Sequence, residues 1–115
     1  MNRLIGTTAA AALAIASLAM PSASLANPYV SEWTDHFDYD QDACVHRARA
    51  ALTQEGWADI EVQSKYVSIA DKGKLSGVIV CLYMSDSQAI VVVFVAGGAA
   101  GVADGESQTL KTDLK

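Results

Sequence analysis

The chain has 115 residues, 51% of them hydrophobic, with 8 Lys+Arg against 13 Asp+Glu and a formal net charge of −5. That length holds one small domain with a single modest core. The acidic balance argues against a broad electrostatic footprint for nucleic acid or for an anionic membrane surface.

Residues 1–26 read as an export signal. Arg3 supplies the early positive charge, Leu4 to Met20 form an Ala-rich apolar stretch, and Pro21 to Ala26 end in small residues, with Ser24 and Ala26 where a signal peptidase reads. The stretch is short for a bilayer span, and Gly6, Thr7, Thr8 and Ser17 interrupt it. The first cysteine, Cys44, lies too far downstream to carry a lipid anchor. Cleavage after Ala26 removes Arg3, so the mature chain from Asn27 has a net charge of 7 − 13 = −6. The expected location is the periplasm or the medium, with no membrane attachment in the mature form.

Residues 27–39 hold a Pro, aromatics and charges without a clean period, and are expected as an irregular or extended lead-in to a single small domain over 40–115. Asp40 or Asp42 can cap a helix running to about Glu55, because an Asp side chain accepts from free N–H groups of the first turn. Cys44, Ala48, Ala51 and Leu52 line one face of it, with His46, Arg47, Arg49 and Gln54 opposite. Gly56 suits a left-handed stop, with Trp57 folding back as its hydrophobic contact. Ile60 to Ile69 is strand-like, but its apolar phase shifts between Val62 and Val67, which predicts a bulge or bend near Ser64 to Tyr66. Strands then follow over Leu75 to Met84 and Ala89 to Ala96, separated by turns at 71–74 and 85–88. Gly97, Gly98 and Gly101 precede a weakly patterned final helix, in which Leu110 and Leu114 share a face and Asp104 or Ser107 could cap. The expected fold class is α+β: a two-layer sandwich of an N-terminal helix on a three-stranded antiparallel meander, with a short C-terminal helix.

Two cysteines in an exported chain are most simply a disulfide, and a Cys44 to Cys81 bridge closes a loop that the chain-entropy model values at about 4 kcal/mol. Buried free thiols are the alternative. Redox chemistry would call for a Cys-x-x-Cys spacing, which is absent.

If Cys81 faces the helix, Ile79 and Tyr83 do too, and Val78, Val80, Leu82 and Met84 point away. The third strand is apolar on both faces, so each wants cover. One helix covers one face. The other is left to the lead-in with Tyr29, Trp33 and Phe37, to a second copy of the chain, or to a protein partner, and Val91, Val93 and Val95 are the expected interaction face.

No catalytic residue is expected, and no cofactor. Asp38-Tyr39-Asp40-Gln41-Asp42 copies the opening of a calcium loop, but Ala43 stands where the turn Gly belongs and Arg49 where the closing Glu belongs. Asp35, His36, Asp38 and His46 are weak metal-ligand candidates with no spacing rule behind them. The serines lack a nucleophile elbow, and Gly97-Gly98-Ala99-Ala100-Gly101 lacks the Lys and Ser/Thr of a phosphate loop. Arg47 and Arg49 are expected to be solvated.

The run Asp42-Ala43-Cys44 through Arg47-Ala48-Arg49-Ala50-Ala51-Leu52, then Gly56-Trp57, Gly77 to Cys81 and Val91 to Gly97, resembles small secreted proteins of Gram-negative bacteria without an established function. The resemblance covers about residues 42–98. It implies export to the periplasm and the Cys44 to Cys81 pairing, and brings no active-site residues. The expected function is an exported binding or interaction module without catalytic activity, acting on a protein partner or on itself through the sheet. A periplasmic binder of divalent metal or a small ligand is the alternative, and a small hydrolase is the weakest reading.

Overall fold

The computed structural model describes residues 29–99 and 101–115, so the export segment expected over 1–26 lies outside the described residues. The first strand, β1, runs Val30–Phe37, followed by helix α1 over Gln41–Gln54. Strands β2 (Ala58–Gln63), β3 (Val67–Lys72), β4 (Leu75–Ser85) and β5 (Gln88–Ala96) come next, and helix α2 spans Val102–Leu114.

Helix α1 starts and stops as its sequence directs. The Asp40 side chain accepts from the Ala43 N–H at 2.8 Å. At the other end Gly56 turns left-handed at φ +81°, the Gly56 N–H reaches the Thr53 carbonyl at 3.1 Å, and the Trp57 N–H reaches that of Leu52 at 2.9 Å. That pair of bonds is a Schellman stop. Cys44, Ala48, Ala51 and Leu52 form its buried face.

The sheet has five strands in the order β1, β5, β4, β3, β2, all antiparallel, which replaces the expected three-stranded meander. Two segments account for the difference. The lead-in pairs as an edge strand along the whole of β5, from Val30 opposite Ala96 to Phe37 opposite Ala89. Ile60 to Ile69 folds as a hairpin rather than one bent strand, because Ser64 and Lys65 take left-handed φ values of 50° and 70° and reverse the chain. The apolar phase shift in the sequence marks that reversal.

Both helices lie on one face of the sheet: α1 over β2 to β5, α2 over β1 and β5, and each against the other. Between them and the sheet sits the core, including Leu52, Trp57, Ile79, Val91, Val93, Val95, Leu110 and Leu114. The Cys44–Cys81 disulfide ties α1 to β4 inside it. Helix α2 begins after left-handed Gly101 with no side-chain cap, where Asp104 or Ser107 was expected; both instead meet Ser31 on β1, Asp104 accepting from the Ser31 hydroxyl at 3.1 Å and Ser107 sharing a hydrogen bond with it at 2.9 Å. The Trp33 indole N–H donates to the Ser107 carbonyl at 2.9 Å. Trp33 thus seals the core rather than covering the far face.

Candidate functional site

Strand alternation sends every second side chain of the sheet away from the helices. Opposite residues of an antiparallel pair share a face, so the registers define rows across the sheet. One row reads Glu61, Ile69, Val78, Phe94 and Glu32 from edge to edge; the next reads Gln63, Val67, Val80, Val92 and Thr34. A third brings Leu82, Ile90 and His36 together. In these rows the three inner strands therefore present aliphatic and aromatic side chains and the two edge strands polar ones, while Val30, at the start of β1, is an exposed apolar residue on the same face. Phe94 is 37% exposed and Leu82 44%. No helix among the described residues packs on this face.

This corrects the expected interaction face. Val91, Val93 and Val95 are fully buried under the helices, and Ile90, Val92 and Phe94 point outward. What separates the two sets is the turn after Ser85 together with an irregularity just before it. Ser85 pairs with Gln88, and the register shift between Tyr83 and Ser85 then places Cys81 opposite Val91, where an unbroken register would place it opposite Val92, so the face that carries the disulfide also carries Val91. Sequence reasoning placed Val78, Val80 and Leu82 outward and missed Val67, Ile69, Glu32 and Glu61, whose strands it had not separated.

An open hollow of ≈ 310 Å³ lies between the start of α1 and the end of β4, lined by Asp40, Gln41, Asp42, Tyr66, Tyr83, Ser85 and Asp86. Much of its polar equipment is already engaged. Asp40 caps α1, the Gln41 amide donates to the Cys81 carbonyl at 3.0 Å, and the Tyr83 hydroxyl donates to Asp86 at 2.9 Å. The Asp86 carboxylate holds the Tyr83 phenol above its ordinary range, first through that hydrogen bond and then through its charge. Ser85 has no histidine beside it in the lining.

The metal-ligand candidates are not assembled. Asp35 and His36 are successive residues of β1, with the His36 N–H donating to Asp35 at 2.8 Å; Asp38 accepts from the Gln88 amide at 2.9 Å; His46 stands exposed on α1. Asp35 also lies 3.9 Å from the Lys111 ammonium. Among the described residues no three His, Cys, Asp or Glu side chains are grouped to hold a metal ion.

Arg47 is exposed, as expected, with its guanidinium 4.5 Å over the Tyr39 ring. Tyr39 stacks on Phe37 and donates to the Leu114 carbonyl at 2.6 Å, closing the seam between β1 and the end of α2. Burial pushes the Tyr39 phenol up to about 12, against a partial lowering by Arg47. These contacts are structural. No helix among the described residues is long and apolar enough to cross a membrane. No family model, curated protein or solved structure matches this chain.

Proposed function

We propose that this chain is an exported interaction module without catalytic activity, which holds a protein partner on the outer face of its sheet. The observation that carries the reading is the pair of rows through Phe94 and Val92, where three adjacent strands turn apolar side chains outward while both helices occupy the other face. Contiguous apolar surface with a polar rim is the usual mark of a recognition site. The buried Cys44–Cys81 crosslink suits an oxidising compartment. Together with the export-like residues 1–26 and the resemblance to small secreted Gram-negative proteins, it favours the periplasm or the medium.

Photo-crosslinking in the exporting cell tests this. A benzoylphenylalanine at position 94 is expected to give a discrete protein adduct, and one at exposed Gln108 on α2 is expected to give none. Absence of an adduct at 94, or equal adducts at both positions, overturns the reading.

A further inference from the structure

We infer that the outer face is built for a basic amphipathic protein segment and against a second copy of this chain, an inference that rests on the interaction reading above. The row through Ile69, Val78 and Phe94 ends in a carboxylate on each side, Glu61 on β2 and Glu32 on β1. The row below the apolar middle runs from Ala58 through Asp71, Ser76 and Ala96 to Val30, and Asp71 is its one charged residue. Lys65 and Lys74 lie in the turns beyond the strand ends. The carboxylates Glu32, Glu61 and Asp71 therefore flank the apolar strip on the strands, with His36 on β1 the one titratable base on the same face.

Area and symmetry decide between the occupants. Strands about 4.8 Å apart with outward residues about 6.8 Å apart give each side chain about 33 Å² of sheet, so the eight apolar ones cover about 260 Å². A stable interface takes about 800 Å² from each partner, so a partner must reach past the apolar middle onto the carboxylates. Two copies stacked face to face share a two-fold axis lying between their sheets. With that axis along the strands, Glu32 of each lies over Glu61 of the other; with it along the row, each Glu lies over its own copy. Both arrangements bring like charges together in a chain whose net charge is already −5.

A helix solves the same geometry. Its diameter of about 10–12 Å matches the roughly 10 Å from the first to the third apolar strand. Glu32 and Glu61, four strand intervals or about 19 Å apart, then stand where Lys or Arg stems flanking an apolar stripe would extend.

The test uses two synthetic 18-residue amphipathic helices with the same Leu stripe, one flanked by Lys and one by Glu, titrated against the purified protein. The Lys helix is expected to bind at least about tenfold more tightly, with the gap shrinking as salt rises. The Glu32→Lys/Glu61→Lys variant should invert the preference, and Phe94→Ser should abolish binding of the Lys helix. Equal affinities, no binding of either helix, a Lys preference that survives Phe94→Ser, or a concentration-dependent dimer lost in Phe94→Ser would each overturn the inference. The readouts separate the two claims: an adduct at position 94 without a Lys preference removes this inference alone, whereas no adduct removes the interaction reading itself.

Discussion

The indole of Trp57 rests directly on the backbone of Gly77: a Cβ at residue 77 would stand 2.8 Å from Cζ3 and 2.9 Å from Cη2 of the ring. Trp57 follows the Schellman stop of α1 and is 5% exposed, so the ring is held from the helix side as well. A Gly77→Ala change therefore forces helix and sheet apart or bends the indole off its rotamer. The expected loss is about 1–3 kcal/mol in denaturant unfolding, the range for overpacking a core. Trp57→Phe in the same chain should recover part of it, since the smaller ring vacates the contact. Its cost is reduced further because the Trp57 indole N–H is buried without a partner. Additive losses in the double variant would refute the contact as the cause.

The disulfide carries a second expectation. Cys44 and Cys81 are both fully buried, and their loop spans 37 residues. Replacing both by Ala should cost about 2–4 kcal/mol while leaving the circular dichroism spectrum at low temperature unchanged, because α1 still has its cap, its stop and its packed face. An unfolded double variant would mean that the bridge is required for folding rather than adding to a formed core.

Neighbouring valines of β5 should behave oppositely. Val93 is fully buried and Val92 only partly so, on the outer face. Thr has the shape of Val but adds a hydroxyl, so Val93→Thr should lose about 1–3 kcal/mol by burying it among apolar neighbours, whereas Val92→Thr should stay within about 0.5 kcal/mol. Equal effects would contradict the register that defines the outer face.

The same strand shows where the sequence was readable. Helix α1 was legible in full because cap, stop and small-residue face are local features: Asp40, Gly56 and the 3.6-residue spacing of Cys44, Ala48, Ala51 and Leu52 all agree. Strand β1 was not, because its inward positions include Ser31 and Asp35, whose partners Asp104, Ser107 and Lys111 lie some seventy residues away. Polar residues that are inward only because a distant helix supplies partners do not alternate. The β2–β3 turn carried no Gly or Asn at its left-handed positions, Ser64 and Lys65, so the usual turn signal was missing. Strand β5 is apolar on both faces, and its phase is set by the Ser85 to Gln88 turn together with the register shift between Tyr83 and Ser85, which no residue pattern announces.

Acid and neutral pH should separate at Glu55. Its carboxyl is held above its ordinary 4.5, first by a hydrogen bond with the Asp113 side chain on α2 and then by burial and the Asp113 charge. A pKa raised in the folded state gives stability that is present in acid and lost as pH rises through the raised value. Glu55→Gln keeps the hydrogen bond without the charge, so it should melt above the parent at pH 7, and the gap should close below pH 4.5. A constant gap across that range would exclude the Glu55–Asp113 pair as its origin.

Tyr39 imposes the opposite limit, at high pH. Burial raises its phenol from 10.0 to about 12, so the folded state favours the protonated form, and the associated stability is intact below pH 10 and lost as pH climbs toward 12. At pH 8 Tyr39→Phe should be less stable by about 1 kcal/mol, the net value of the 2.6 Å hydrogen bond to the Leu114 carbonyl. Between pH 10 and 12 the parent loses stability that the Phe variant, lacking an ionisable group there, does not lose, so the two curves should converge or cross. Melting temperatures taken across pH 8–12 on both proteins read this directly. Parallel curves would show that the phenol ionises as easily in the folded chain as in the unfolded one, which is incompatible with a ring stacked on Phe37 and a hydroxyl donating to the Leu114 carbonyl.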